Sequence, residues 1–130
     1  MPPASFPVDM VSGVPVVAAP EEIDITNAAG LRAALREAAG HGNGTLVVNM
    51  SQTRFCDSAG LHALVRAHQR AQAEGGEVRL VISGTHVRRV LAVTGIDRMI
   101  PHFPALEQAL THPPAPSPSV LPGRSAAWLD

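Results

Sequence analysis

The stretch TLVVNMSQTRFCDSAGL, residues 45–61, decides how the chain is read. Leu46-Val47-Val48 is a continuous apolar run, the mark of a strand covered on both faces. A short connector follows, and Phe55-Cys56-Asp57 leads into Ser58-Ala59-Gly60, where a helical pattern begins. A serine hydroxyl is thereby set at the mouth of a helix, where unpaired backbone N–H groups and the positive end of the helix dipole converge. A phosphate on Ser58 is expected to be held by the forces that bind anions at helix N-termini. Ser58 and Asp57 also both qualify as ordinary N-caps. Cys56 reads as a small buried hydrophobe on the strand end rather than a redox thiol.

Outward from this corner, strands and helices alternate. Val8–Val11 and Val14–Ala18 around Gly13 read as an opening hairpin. Beyond Pro20 and EEIDIT, a helix is predicted with Thr26 as N-cap and Leu31, Leu35 and Ala38 on one face. The run Gly40–Gly44 breaks it. The helix that starts near Ser58 carries Leu61, Leu64, Val65, His68 and Ala71 on one side and stops at Gly75-Gly76. Val78–Ile82 reads as another long strand. A short helix with Val87, Val90, Leu91 and Thr94 along a stripe is expected to end at Gly95 as its C′ residue. Met99–Phe103 reads as an edge strand, because Pro101 argues against a central place. Pro104 is expected at N1 of a last helix with Leu106, Ala109 and Leu110 inward. From His112 the composition turns to Pro, Ser and Ala, too poor in apolar area to order itself.

These elements predict an α/β domain with a four- to five-stranded mixed sheet and about four helices packed mainly on one side. The expected division is an N-terminal segment with a short first strand (1–13), a domain (14–111) and a disordered tail (112–130).

At 130 residues and a formal charge of −1, the chain is sized for one core and carries no long-range field for nucleic acid or an anionic membrane. Aromatics are so few, at 3%, that Val, Leu, Ile and Ala must build that core. A single cysteine fits a reducing compartment, no apolar run is long enough to span a membrane, and MPPASFPVDM lacks the features of a secretory signal. The expectation is a soluble cytoplasmic protein. The six histidines include no HxH or HxxxH pair, so no metal site is expected. No Walker loop, dinucleotide fingerprint or kinase signature occurs, and no cofactor is expected.

With these residues in place, the chain resembles STAS-domain proteins of the anti-sigma factor antagonist type from about Val14 to Leu110. Four segments carry the likeness: EEIDIT (21–26), VVNMSQTRFCDSAGL (47–61), GGEVRLV (75–81) and VRRVLAVTGIDRMIPHFPALEQAL (87–110). The second is the strongest, with strand, connector and Asp-Ser-x-Gly in order. The resemblance implies a non-enzymatic bacterial binding protein and makes Ser58 a phosphoacceptor. Its implied partners are an anti-sigma factor with serine kinase activity, which the unphosphorylated form sequesters to release a sigma factor, and a phosphatase. It also implies partner-binding roles for Asp24, Asn49, Asp57, Ser58, Ala59 and Gly60. Asn49 and Glu21 depart from the family pattern, standing where many members carry Asp and Gly.

Two other readings compete. A STAS module can act as a scaffold or ligand sensor without phosphorylation. A strand, a sharp turn bearing Ser and a helix also describe a hydrolase nucleophile elbow, with Asp97 and His102 as the late partners. Cys56 stands where that motif needs its first Gly.

Overall fold

A computed structural model describes residues 6–42 and 44–113. Strands β1 (Val8–Val11) and β2 (Val14–Ala18) form the opening hairpin. After β3 (Glu22–Ile23) come α1 (Ala28–Ala39), β4 (Thr45–Met50), β5 (Phe55–Cys56) and α2 (Ser58–Ala73). The chain continues through β6 (Glu77–Ile82), α3 (Thr85–Thr94), α4 (Ile96–Met99), β7 (His102–Phe103) and α5 (Leu106–Thr111). The main sheet is mixed, in the order β1-β2-β4-β6-β7, with only the β1–β2 pair antiparallel.

The central strands explain which helices lie where. In β4, Leu46, Val48 and Met50 join the large core under α1 to α4, while Val47 turns to the opposite face. In β6, Val78, Leu80 and Ile82 face the large core and Val81 the other. Four helices cover one side, and α5 covers the second with Ala109 buried and Leu106 and Leu110 packed beside it. The expected one-sided packing therefore holds for all but the last helix.

Several local expectations are corrected. Asn27, not Thr26, is the residue before α1. Asp24 accepts from both the N–H and the hydroxyl of Thr26, drawing that residue into a turn, and Asn27 reaches back to the Asp24 N–H at 2.9 Å. Pro104 does not open α5, whose N-cap is Ala105. Proline holds the residue before it extended, which suits Phe103 at the end of β7. The stretch Met99–Phe103 is not all strand, since Met99 closes α4 and only His102–Phe103 pairs, at the sheet edge. Gly95 ends α3 in the left-handed region, at φ 82°, as expected.

His68 on α2 is buried between helix and sheet, and its Nδ1 accepts from the Val78 N–H at 3.1 Å. Burial pushes its pKa below the usual histidine range against the raising pull of Glu77, so the ring stays neutral with its proton on Nε2. On the opposite face, Arg79 donates from Nε to Glu77 at 2.7 Å and from Nη1 to the carbonyls of Ala109 and His112 at 2.8 and 2.9 Å. Its Nη2 reaches the Pro113 carbonyl at 3.2 Å. One strand arginine thus caps the C-terminus of α5 and holds the first two residues of the segment expected to be a disordered tail. Residues 114–130 of that tail lie outside the described residues, as do residues 1–5 of the N-terminal segment.

Candidate functional site

A two-stranded parallel sheet builds the corner that carries Ser58. β3 pairs with β5, with Glu22 opposite Phe55 and Ile23 opposite Cys56. Connectors lace the pair in place: Arg54 and Phe55 donate their N–H groups to the Glu21 carbonyl at 2.7 and 3.2 Å, and the Thr53 hydroxyl donates to the Pro20 carbonyl at 2.8 Å. The Asp57 N–H continues the ladder to the Ile23 carbonyl at 3.0 Å. This register sets Asp24 and Asp57 side by side where both chains leave the small sheet.

Asp57 is the N-cap of α2, with an extended backbone and its Oδ1 accepting from the N–H groups of Ala59 at 3.0 Å and Gly60 at 3.2 Å. Ser58 is therefore N1 rather than the cap. It is exposed, and among the described residues its hydroxyl makes no hydrogen bond. The fold does not use that oxygen. The expectation that helix N–H groups would take up a phosphate on Ser58 is revised accordingly, because the N2 and N3 donors are already bound to Asp57. The exposed Ser58 side chain adjoins the capping Asp57 in the first turn of α2.

Gly60 is buried, not displayed. A Cβ there would lie 2.5 Å from Cγ2 of Ile23 and 2.7 Å from Sγ of Cys56, so its part is to let α2 press onto the small sheet. The Cys56 thiol is buried, and its pKa is pushed up to about 12 by that burial and by the Asp57 charge, which fits an inert packing group. The two hydrogen bonds from Thr26, side chain first and then backbone, hold the Asp24 carboxyl below its ordinary pKa. Asn49 is not gathered with the others. Its place in β4 turns it to the α5 face, where its Oδ1 accepts from the Ser51 N–H at 3.0 Å. Asp97 in α4 and His102 in β7 make no contact with the Ser58 hydroxyl among the described residues, so the relay of a hydrolase is not assembled.

Two residues that the sequence reading passed over stand out here. Ile25, next to Asp24, is 78% exposed, and Phe55, at the head of β5, is 43% exposed and stacked on His86 at 6.4 Å between ring centroids. Phe55, Arg54, Glu22 and His86 border a shallow hollow with Gly84 and Thr85. Period-two or helical patterning has no power over segments this short, which is why neither apolar side chain was expected at the surface.

A mixed sheet with four helices on one face, and a capped helix rising from an Asp-Ser-x-Gly corner, define a small α/β binding domain. The STAS domain pattern matches residues 5–109, and the chain belongs to that family. Its relatives include the anti-sigma-F factor antagonist RsfB of Mycobacterium tuberculosis, 30% identical over 100 residues that cover 77% of this chain and 81% of that protein. The crystal structure of an anti-sigma factor antagonist from Mycobacterium paratuberculosis superposes with a TM-score of 0.75 at 31% identity, over 82% of this chain and 91% of that one. The Bacillus cell fate determinant SpoIIAA in its phosphorylated form shares the fold, with a TM-score of 0.63 at 22% identity over 82% of this chain and 96% of that one. Among the described residues no helix is long and apolar enough to cross a membrane, and no group of three or more His, Cys, Asp or Glu side chains is placed to hold a metal.

Proposed function

We propose that this chain is an anti-sigma factor antagonist whose binding is switched by phosphorylation of Ser58, acting in the cytoplasm as a binding protein rather than an enzyme. The observation that carries the reading is a hydroxyl left free at N1 of α2 while the neighbouring Asp57 does the capping. A phosphoacceptor needs exposure and a backbone a kinase can grip, since the kinase supplies the catalytic groups. In its unphosphorylated form the protein sequesters an anti-sigma factor that also serves as the serine kinase, and a phosphatase restores that form. Asp24, Asp57 and Ser58 form the polar centre of the contact, Ala59, Ile25 and Phe55 its apolar part, and Gly60 supports it from beneath.

Phosphorylation adds about −1.5 to −2 charges. With the Ala59 and Gly60 N–H groups bound to Asp57, little of that charge is taken up inside this domain, and it is presented to the binding protein. Interface desolvation and repulsion of roughly 3 kcal/mol weaken binding about a hundredfold. The test is titration of the cognate anti-sigma factor with wild type, Ser58→Ala and Ser58→Asp, alongside mapping of the phosphorylated residue by mass spectrometry. Ser58→Ala should bind like the unphosphorylated protein and resist phosphorylation, and Ser58→Asp should bind about a hundredfold more weakly. Equal binding by both variants would end the switch reading.

A further inference from the structure

The helix pair α1–α2 carries opposite charge at its start and along its length. Both helices leave from the Ser58 corner, where Asp24 and Asp57 lie side by side. Each carboxylate spends Oδ1 on its own turn, Asp24 on Thr26 and Asp57 on the Ala59 and Gly60 N–H groups. Among the described residues neither Oδ2 has a hydrogen-bond partner. Glu21 and Glu22 are exposed nearby, as is Ile25. Farther along the helices the sign reverses. Arg32 and Arg36 of α1 and His62, Arg66 and Arg70 of α2 line a cleft of about 610 Å³ with Leu46 in its floor, and no acidic residue lines it. Among the described residues the one ion pair within 4.0 Å is Arg79–Glu77, on the other face of the sheet, so none of the four cleft guanidinium groups has a carboxylate that close.

Carboxylates with an oxygen to spare at one end and unpaired guanidinium forks at the other match in charge and in shape, because the fork takes a carboxylate at two points. The exposed Ile25 beside Asp24 likewise suits the apolar floor between the arginines. A copy cannot make this match with itself, since Arg66 lies just over two turns beyond Ser58, about 12 Å along α2. A second copy can. His62 sits midway between Ser58 and Arg66 on α2, and a half-turn about an axis near it lays the two α2 helices antiparallel and sets each corner against the other's cleft. We propose that this chain forms a two-fold dimer in which the Asp24–Asp57 corner of each copy docks in the arginine cleft of the other. Such a contact closes at two copies rather than running on as a filament. Exposed charge pairs are individually weak and screened by salt, so the dimer is weak and salt-sensitive. It covers the Ser58 corner and excludes the anti-sigma factor; that consequence rests on the function proposed above, whereas the dimer does not.

Sedimentation velocity of the full chain over a range of concentrations tests the contact. The expected result is a monomer–dimer equilibrium with a dissociation constant on the order of 0.1 mM at low salt, weakened about tenfold when roughly 0.5 M salt shortens the screening length. Asp24→Asn with Asp57→Asn, which keeps the local turn and cap, should weaken it about tenfold. Arg36→Glu with Arg66→Glu should abolish it. Arg88→Glu, at an exposed position of α3 outside the cleft, should leave it unchanged. The two defective variants mixed together should pair more tightly than either does alone, because one intact corner then meets one intact cleft. Ser58→Asp adds a charge to the corner and should tighten the dimer about threefold. That is the opposite of its effect on anti-sigma factor binding, so the two readings fail separately. Should the reversed cleft not fold, the salt dependence and Ser58→Asp still decide. A monomer up to about 1 mM at low salt, an association indifferent to salt or weakened by Ser58→Asp, equal loss in Arg88→Glu, or growth beyond a dimer overturns the proposal.

Discussion

Two helix ends in this protein are finished in opposite ways. The N-terminus of α2 is capped by the residue that precedes it, Asp57, through bonds to Ala59 and Gly60. The C-terminus of α5 is capped from a strand some thirty residues away, by Arg79, which is itself held by Glu77. The first arrangement is local and leaves the adjoining side chain, Ser58, with no structural duty. The second ties chain segments that are remote in sequence and leaves nothing spare. A residue that must change its charge without unfolding the domain belongs at the first kind of end.

The contrast is broken most directly at Arg79. Arg79→Ala strands the buried Glu77 carboxylate and uncaps α5, and should destabilise the protein by about 3–5 kcal/mol in denaturant unfolding. Replacing the pair together, Glu77→Leu with Arg79→Met, should recover the part of that loss that comes from the unpaired charge, while the α5 carbonyls stay uncapped. If Arg79→Ala costs no more than loss of the Asp57 cap, the distant clamp is not what holds α5.

Gly60 sharpens the comparison from the side of the Ser58 corner. Its missing side chain lets α2 approach Ile23 and Cys56, and Gly60→Ala places a methyl inside van der Waals contact with both. Overpacking at one well-filled point should cost about 1–3 kcal/mol, less the gain in helix propensity. Reduced amide protection in β3 and β5, with α5 unaffected, would mark the effect as local.

The sequence makes the local end visible and hides the distant one. β4 is legible because Leu46, Val47 and Val48 must be covered on two sides, and α2 because its apolar residues repeat at helical spacing. Gly95 announces the end of α3 because only a residue free of Cβ strain adopts φ 82° readily. The small β3–β5 sheet is not legible, since two-residue strands carry no period and depend on pairing across thirty residues. The role of Arg79 is not legible either, because its partners are carbonyls at the end of α5, some thirty residues on. The corner itself was readable as Asp-Ser-x-Gly, but which of its two caps is in use was decided by the Asp57 backbone rather than by residue type. Phe55 went unread for the same reason as the two-residue strand that carries it, and Ile25 because the turn after β3 has no period.

Asp57→Ala removes the one local cap, and should cost about 0.5–2 kcal/mol, seen as faster amide exchange in the first turn of α2. Asp57→Asn should be close to neutral in stability, because asparagine caps about as well as aspartate. It also removes the like charge beside Ser58. Phosphorylated Asp57→Asn should therefore lose less stability relative to its unphosphorylated form than wild type does, a comparison readable from the two melting curves.

The smallest expected effect is the most informative. Ser58→Ala deletes a hydroxyl that makes no hydrogen bond among the described residues and exchanges serine for a better helix former, so stability should stay within about 0.5 kcal/mol of wild type. Ser58→Asp should also stay close, since an acid in the first turn gains from the helix dipole what it loses to Asp57. A switch of this design requires that separation: the charge costs the domain little and its binding partner much. Were Ser58→Ala to unfold early, the hydroxyl would be part of the fold's own bonding, and the two helix ends would differ only in the length of chain that caps them.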